Sequence, residues 1–148
     1  MKKLPPIEKV YEAWTALADG RVTMHDGYAD VSSSDGTKDY VVRFFGNQYS
    51  SDDNATFWQG YAGYPVIAVL MLRNLLPYNH EEAELWKDIN WTELNKKYKN
   101  NYSKAVEEIA SQRGIDQEKA RSEAQLVIDK LSELPIEIKR KIKMENIK

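Results

Sequence analysis

The amino-acid sequence predicts an α+β fold, with an N-terminal helix, a three-stranded antiparallel meander, a buried central helix and a C-terminal helical bundle. Three observations support this prediction. A helical apolar periodicity opens the chain, two hairpin-turn dipeptides follow it, and a nearly all-apolar segment lies between two prolines. We expect residues 1–135 to form a single compact α+β domain and residues 136–148 to form a basic tail.

The first helix is predicted over residues 7–18. Asp19-Gly20 provides its end, because glycine readily adopts the left-handed conformation found at helix termini. The apolar residues recur at intervals of three and four, which places them on one stripe of a helix. These residues are Ile7, Val10, Tyr11, Trp14, Leu17 and Ala18.

The meander is predicted from Asp26-Gly27 and Asp35-Gly36, the residue pairs that two-residue type I′ hairpin turns require. With both turns in place, Val31 faces Val22 across the first hairpin and Tyr40 across the second. The two turns independently bring the apolar residues to one face of the sheet. This agreement supports the register, because a slip of one residue would move every side chain to the other face.

The central helix is predicted between Pro65 and Pro77, where nine of the eleven intervening residues are apolar. Spanning a membrane takes about 20 residues, so we expect this segment to be a helix that the rest of the protein covers. Residues 47–54, between the meander and this region, are expected to be irregular. Three helices are predicted after it. The first two begin after the capping residues Asn79 and Asn90, the second of them continuing without a break up to residue 114, and the last runs from about Asp116 to Leu134.

Composition excludes several classes of function. The 148 residues carry a net charge of −2 and contain no cysteine, so disulfides, iron–sulfur clusters and cysteine-ligated zinc are excluded. No overall field favours nucleic acid or an anionic membrane. The first residues lack the apolar middle region of a signal peptide, since Pro5 and Pro6 lead into Glu8. We therefore expect a cytoplasmic protein with no membrane partner.

The best candidate contact surface is the aromatic-glycine segment, residues 57–64, which holds four aromatic side chains and two glycines. Such a segment can line a pocket, because glycine lets the backbone approach a ligand and flat rings supply apolar area. The alternative is that the rings cover the central helix and the sheet. The first functional hypothesis is a non-enzymatic binding or protein-interaction module for an unknown protein or small-molecule partner, with the contact residues Tyr49, Asp52, Asp53, Phe57, Trp58, Tyr61 and Tyr64.

The second hypothesis is nucleic-acid binding. Residues 95–104 interleave lysines with two tyrosines, a composition that single-strand binders use for phosphate contact and base stacking. The alternative is that the tyrosines belong to a buried helical stripe and that the lysines are its solvated rim. The candidate nucleic-acid contacts are Lys96, Lys97, Lys99, Lys104, Lys139, Arg140 and Lys141.

The third hypothesis is a small enzyme in which His25 or His80 acts with a nearby carboxylate. No nucleophile motif and no phosphate-binding loop accompanies either histidine. We therefore predict no catalytic residues, no metal site and no cofactor. The tail residues Ile138, Ile142 and Met144 lie among lysines, so docking of the tail on a second copy of the chain is left open as a route to a homodimer.

Overall fold

The computed structural model of the chain describes residues 3–142. The fold is α+β, as predicted, with the first helix and the sheet preceding the remaining helices. In chain order its elements are α1 (Glu8–Ala18), β1 (Val22–Met24), β2 (Tyr28–Ser32), β3 (Asp39–Phe45), β4 (Gln48–Ser51), a π-helix (Ala55–Gln59), α2 (Tyr64–Leu72), α3 (His80–Leu85), α4 (Trp91–Lys97), α5 (Tyr102–Arg113), α6 (Gln117–Glu133) and β5 (Glu137–Ile138).

The predicted register of the meander is confirmed. Val22 pairs with Val31 in the first hairpin, and Val31 pairs with Tyr40 in the second. Ala29, Val31 and Val42 are fully buried, so the face that the two turns define is the core face. The predicted turn type is wrong, because type I′ needs a positive φ at both central residues and only Gly27 and Gly36 have one, while Asp26 and Asp35 do not.

The expectation of an irregular segment over residues 47–54 is wrong for its first part, which forms β4. A two-residue turn at Gly46-Asn47 joins it antiparallel to β3, with Phe45 opposite Gln48. Gly46 has a φ of 58°, a value that glycine adopts at little cost in such a turn. Only one residue of β4 is strongly apolar, which is why apolar alternation does not reveal the strand.

The described part of the tail, residues 136–142, lies against the sheet. β5 pairs in parallel with β4, and the backbone N–H groups of Glu137 and Lys139 donate to carbonyls of Asn47 and Tyr49, each at 2.8 Å. The sheet thus has the strand order β1-β2-β3-β4-β5. The division of the chain at residue 135 stays a prediction, and Met144 lies outside the described residues.

The core contains two buried helices, of which one was predicted. In α2 the residues from Pro65 to Met71 are all buried, but the helix ends at Leu72 rather than just before Pro77. In α1 eight consecutive residues, 9–16, are buried, because α2, α3, α5 and α6 all pack against it. The prediction of a single apolar stripe on α1 is therefore too narrow. Burial on every side also takes polar residues of α1 out of water.

The prediction of an unbroken helix from Asn90 to Gly114 is wrong. The chain leaves the helix after Lys97, with left-handed φ values of 51° at Lys99 and 64° at Asn100, and a new helix starts at residue 102. Asparagine tolerates this conformation better than most residues. The predicted caps at Asn79 and Asn90 are confirmed, since each side chain accepts a hydrogen bond from a backbone N–H three residues on, and Asp116 caps α6 in the same way.

Thr15 joins α1 to the helices after it and supports a first prediction. Its hydroxyl is fully buried, donates to the Trp86 carbonyl at 2.5 Å and accepts from Trp91 Nε1 at 2.8 Å. Thr15→Val should lower the free energy of unfolding by about 2–4 kcal/mol, because two buried polar groups lose their partner at about 1–3 kcal/mol each. Urea denaturation measures this, and Thr15→Ser, which keeps the hydroxyl, should lose only about 1 kcal/mol. Equal losses for the two variants would contradict the prediction.

Candidate functional site

A large groove, here called the basic groove, lies between the aromatic-glycine segment and the junction of α4 with α5. Its volume is about 940 Å³. Among the described residues that line it, none is acidic. The charged and aromatic side chains of the groove are Lys9, Lys38, Lys96, Lys99, Tyr40, Trp58, Tyr61 and Tyr102. In a chain with a net charge of −2, this groove is a local concentration of positive charge and flat rings.

The π-helix presents Trp58 to solvent at one wall of the groove. Trp58 is 63% exposed, which makes it the most exposed large apolar residue of those described. Its ring packs edge-on against Phe57 at 4.8 Å between centroids, and the Arg140 guanidinium lies 5.2 Å from the Trp58 ring. Gly60, with a φ of 76°, ends the π-helix two residues after Trp58. The indole is thus held in place and still open to a ligand.

Lys9 forms the floor of the groove and is only 8% exposed. Its ammonium lies 4.3 Å from the centroid of the Tyr102 ring and 3.4 Å from Glu12 Oε2. Burial is the largest single influence on the pKa of Lys9 and lowers it, but the combined effects of Glu12, Tyr102 and Tyr61 outweigh burial, so the pKa is raised. Burial raises the pKa of Glu12, an effect that Lys9 only partly opposes.

A smaller cavity of about 140 Å³ opens from the groove toward the protein interior. Lys9, Tyr40 and Asn95 line both spaces, so the cavity and the groove adjoin each other. Unlike the groove, the cavity has acidic residues in its lining, and both of their carboxylates are buried. The cavity is also lined by Glu12, Arg21, Asp53 and Tyr64.

Asp53 organises the loop that closes the cavity. Ser51 Oγ donates to Asp53 Oδ1 at 2.5 Å, and the backbone N–H of Thr56 donates to Asp53 Oδ2 at 3.1 Å. Thr56 Oγ1 in turn accepts from the backbone N–H of Gly63 at 2.9 Å. These bonds fix both ends of the π-helix and carry the chain into α2. Ser51 itself belongs to β4, and the Asp52 side chain points to β3, where it accepts from Val41 N at 2.8 Å.

The structure divides the predicted contact residues among four places. Trp58 and Tyr61 line the groove, and Asp53 and Tyr64 line the cavity. Burial raises the pKa of Tyr64. The other three lie elsewhere: Tyr49 is fully buried and its hydroxyl accepts from Arg73, while Asp52 and Phe57 line a separate hollow beside the tail.

The predicted nucleic-acid contacts are also dispersed. Lys96 and Lys99 lie in the basic groove. Lys97 pairs with Glu108 at 2.7 Å and Lys139 with Glu137 at 3.1 Å, and Lys104 is exposed on α5. Arg140 contacts the rings of Phe57 and Trp58, and Lys141 lines the hollow beside the tail.

Both histidines lie outside the groove and the cavity. His25 Nε2 is 2.9 Å from Asp30 Oδ2, and its ring stacks on Tyr28. His80 Nε2 is 3.7 Å from Glu84 and lines a shallow surface hollow with Glu81. In residues 3–142 no group of three or more histidine, aspartate or glutamate side chains is arranged to hold a metal ion.

Sequence reasoning missed Lys9, Glu12 and Asn95. The available signal was the pair of opposite charges three residues apart on α1, a helix otherwise rich in apolar residues. The pair would have looked like an ordinary solvated ion pair, because nothing local shows that α1 is enclosed on all sides.

Residues 2–137, most of the chain, match the family described as Uncharacterised conserved protein UCP014422. The chain belongs to this family. No curated protein and no solved structure matches the chain. Across the described part of the sequence, every helix is too short or too polar to span a bilayer.

Proposed function

We propose that the protein is a non-enzymatic binding module that takes an anionic small molecule with a flat ring into the basic groove. One observation carries this proposal: four lysines and four aromatic rings line one groove, and no acidic residue among those described joins them. Lysines attract and orient an anion, and a surrounding low-dielectric wall strengthens this attraction. Aromatic faces add apolar contact area at little cost in side-chain entropy.

The floor of the groove supports an anionic ligand in particular. The Lys9 ammonium has three N–H donors, and the structure gives it one acceptor, Glu12, at the long distance of 3.4 Å. A further donor faces the Tyr102 ring. Donor capacity therefore remains for a ligand that reaches the floor, while Lys38, Lys96 and Lys99 serve its outer part.

Trp58→Ala tests the proposal. Phenyl phosphate, with inorganic phosphate for comparison, supplies a ring and an anion, and isothermal titration calorimetry measures its affinity. The variant should bind phenyl phosphate 5- to 100-fold more weakly, because stacking of a ring on an aromatic side chain is worth about 1–3 kcal/mol. Its melting temperature should stay nearly unchanged, since exposed substitutions usually alter stability by less than about 0.5 kcal/mol.

Phe45→Ala is the matched control, because Phe45 is an exposed aromatic residue (47%) outside the groove. This variant should bind phenyl phosphate as the unaltered protein does. A large fall in melting temperature for Trp58→Ala would show that the indole is part of the core. Equal binding of phenyl phosphate by Trp58→Ala and the unaltered protein would remove the groove as the site.

Binding of single-stranded nucleic acid is the second candidate function, favoured by the position of Lys96 and Lys99 beside Trp58 and Tyr61 in one groove. The ion pairs of Lys97 and Lys139 reduce the positive surface open to phosphate. A single-stranded 12-mer should shift in a gel at low salt, and the shift should weaken steeply as salt rises, because phosphate contacts release counterions. No shift at low salt removes this candidate.

The compartment that we propose is the cytoplasm. The absence of cysteine supports it, because secreted domains of modest size often rely on disulfides.

A further inference from the structure

We infer that the cavity beneath the basic groove receives the amino edge of a nucleobase, so that the ligand is a nucleoside phosphate whose base carries an exocyclic amino group. This inference rests on the proposed function and names the class of ligand. It follows from an unfilled hydrogen-bonding position at the cavity, from the acidic side chains that line the cavity but not the groove, and from the size of the cavity.

The unfilled position belongs to Asn95. Its side-chain Oδ1 is buried and has no hydrogen-bond partner among residues 3–142. The same side chain interacts with the Glu12 carboxylate, to which only the amide NH₂ can donate, so the oxygen is the group that is left without a partner. Leaving a buried acceptor without a partner costs about 1–3 kcal/mol, and such groups in native proteins are rare. A ligand that donates a hydrogen bond would complete Asn95.

The charges of the lining specify which end of a ligand enters. The carboxylates of Glu12 and Asp53 line the cavity, and the two cations beside them, Lys9 and Arg21, are each paired with an acidic side chain, so the cavity offers no unpaired positive charge to a phosphate. The Nε of Arg21 lies 3.4 Å from Asp19 Oδ2, and its Nη1 donates to the Ser32 carbonyl at 2.5 Å. The lysines, by contrast, lie at the floor and walls of the groove. A matching ligand therefore carries hydrogen-bond donors at its inner end and negative charge at its outer end.

Amide oxygens and carboxylates both accept hydrogen bonds from the N–H groups of bases. Asparagine pairs with adenine, and carboxylates accept from the amino group of cytosine. A cavity of about 140 Å³ has room for part of a planar ring but not for a whole nucleotide. The remaining ring, sugar and phosphate would then occupy the groove beside Trp58 and Tyr61. A nucleoside phosphate fits both spaces at once.

The test compares AMP with IMP and CMP with UMP by isothermal titration calorimetry. Each pair differs by an amino group in place of a carbonyl oxygen at one ring position. We expect AMP and CMP to bind at least 10-fold more tightly than IMP and UMP. Asn95→Leu, which keeps the size of the side chain but has no acceptor, should remove this preference and retain weak binding of all four nucleotides through the groove.

Glu12→Gln is a second test of the cavity. It keeps the shape of the side chain and removes its charge, and it should also reduce the preference for AMP and CMP. Trp58→Ala should weaken all four nucleotides by a similar factor. Equal affinities within each pair, or a preference that persists in Asn95→Leu, would overturn the inference and leave the groove proposal standing. If the protein binds phenyl phosphate but no nucleotide, the inference is likewise overturned and the groove proposal stands. If it binds neither phenyl phosphate nor any nucleotide, both proposals are overturned.

Discussion

Gly63→Ala should lower the free energy of unfolding by about 3 kcal/mol, because the space beside Gly63 is already filled. A Cβ at this position would overlap Asp53 Oδ2 and lie 2.9 Å from Thr56 Oγ1. The backbone itself is not the obstacle, since φ is −71° and ψ is 175°, values that any residue adopts. Asp53 cannot retreat without breaking its bonds to Ser51 and Thr56. Overpacking at such sites typically costs about 1–3 kcal/mol, to which the lost hydrogen bonds add.

Thermal and urea denaturation measure the effect of Gly63→Ala, with an expected fall in melting temperature of about 6–12 °C for a domain of this size. Gly60→Ala is the matched control. Its Cβ would meet no atom within 4 Å, and only the left-handed φ of 76° opposes it, at about 1 kcal/mol. Adding Asp53→Ala to Gly63→Ala should lower stability by less than the sum of the two single changes, because the clash has then gone. Additive losses would show that the predicted overlap with Asp53 does not account for the effect.

Lys9→Met should lower the free energy of unfolding by about 3–5 kcal/mol near neutral pH, because it leaves the Glu12 carboxylate buried without a cation. Lys9 and Glu12 are 8% and 6% exposed. The double variant Lys9→Met, Glu12→Leu should recover most of this loss, since well-packed apolar residues can replace a buried ion pair at little cost. The pair would then owe its presence to ligand binding rather than to stability.

The loss in Lys9→Met should also depend on pH. Burial raises the pKa of Glu12, so without Lys9 the folded protein retains a proton on this carboxyl that the unfolded chain releases. The unfolded state therefore binds fewer protons, and stability falls as pH rises above the ordinary glutamate pKa of about 4.3 through the raised folded value. Urea denaturation between pH 4 and 8 measures this slope. A flat profile would contradict it, and Lys104→Met, at an exposed lysine, is the control.

The parts of the fold that could be predicted from sequence are those that local chemistry specifies. The two Asp-Gly turns fix the register of β1, β2 and β3, and the asparagine caps mark where α3 and α4 start. β4 could not be recognised in the same way. Its Tyr49 is apolar and buried, but its neighbours are glutamine and serine, and its pairing partners come from both sides in sequence.

The candidate site could be predicted only in part. Trp58 and Tyr61 follow from the aromatic-glycine segment, and Lys96 and Lys99 from the lysine-tyrosine run. Their meeting in one groove depends on the break between α4 and α5, which the sequence analysis did not predict. The cavity depends on tertiary packing even more, because Lys9 and Glu12 become buried only when four helices enclose α1.

The parallel pairing of β4 with β5 has a consequence for synthesis on the ribosome. The partner strand emerges only after Glu137 has been translated, which at ~5–20 residues per second is on the order of 4–17 s after Ser51 appears. During that interval a nascent chain exposes the unpaired edge of β4, and such edges are templates for aggregation with neighbouring chains. The glutamine and serines of β4 make this edge weakly hydrophobic, so the composition that conceals the strand from sequence analysis also protects the growing chain.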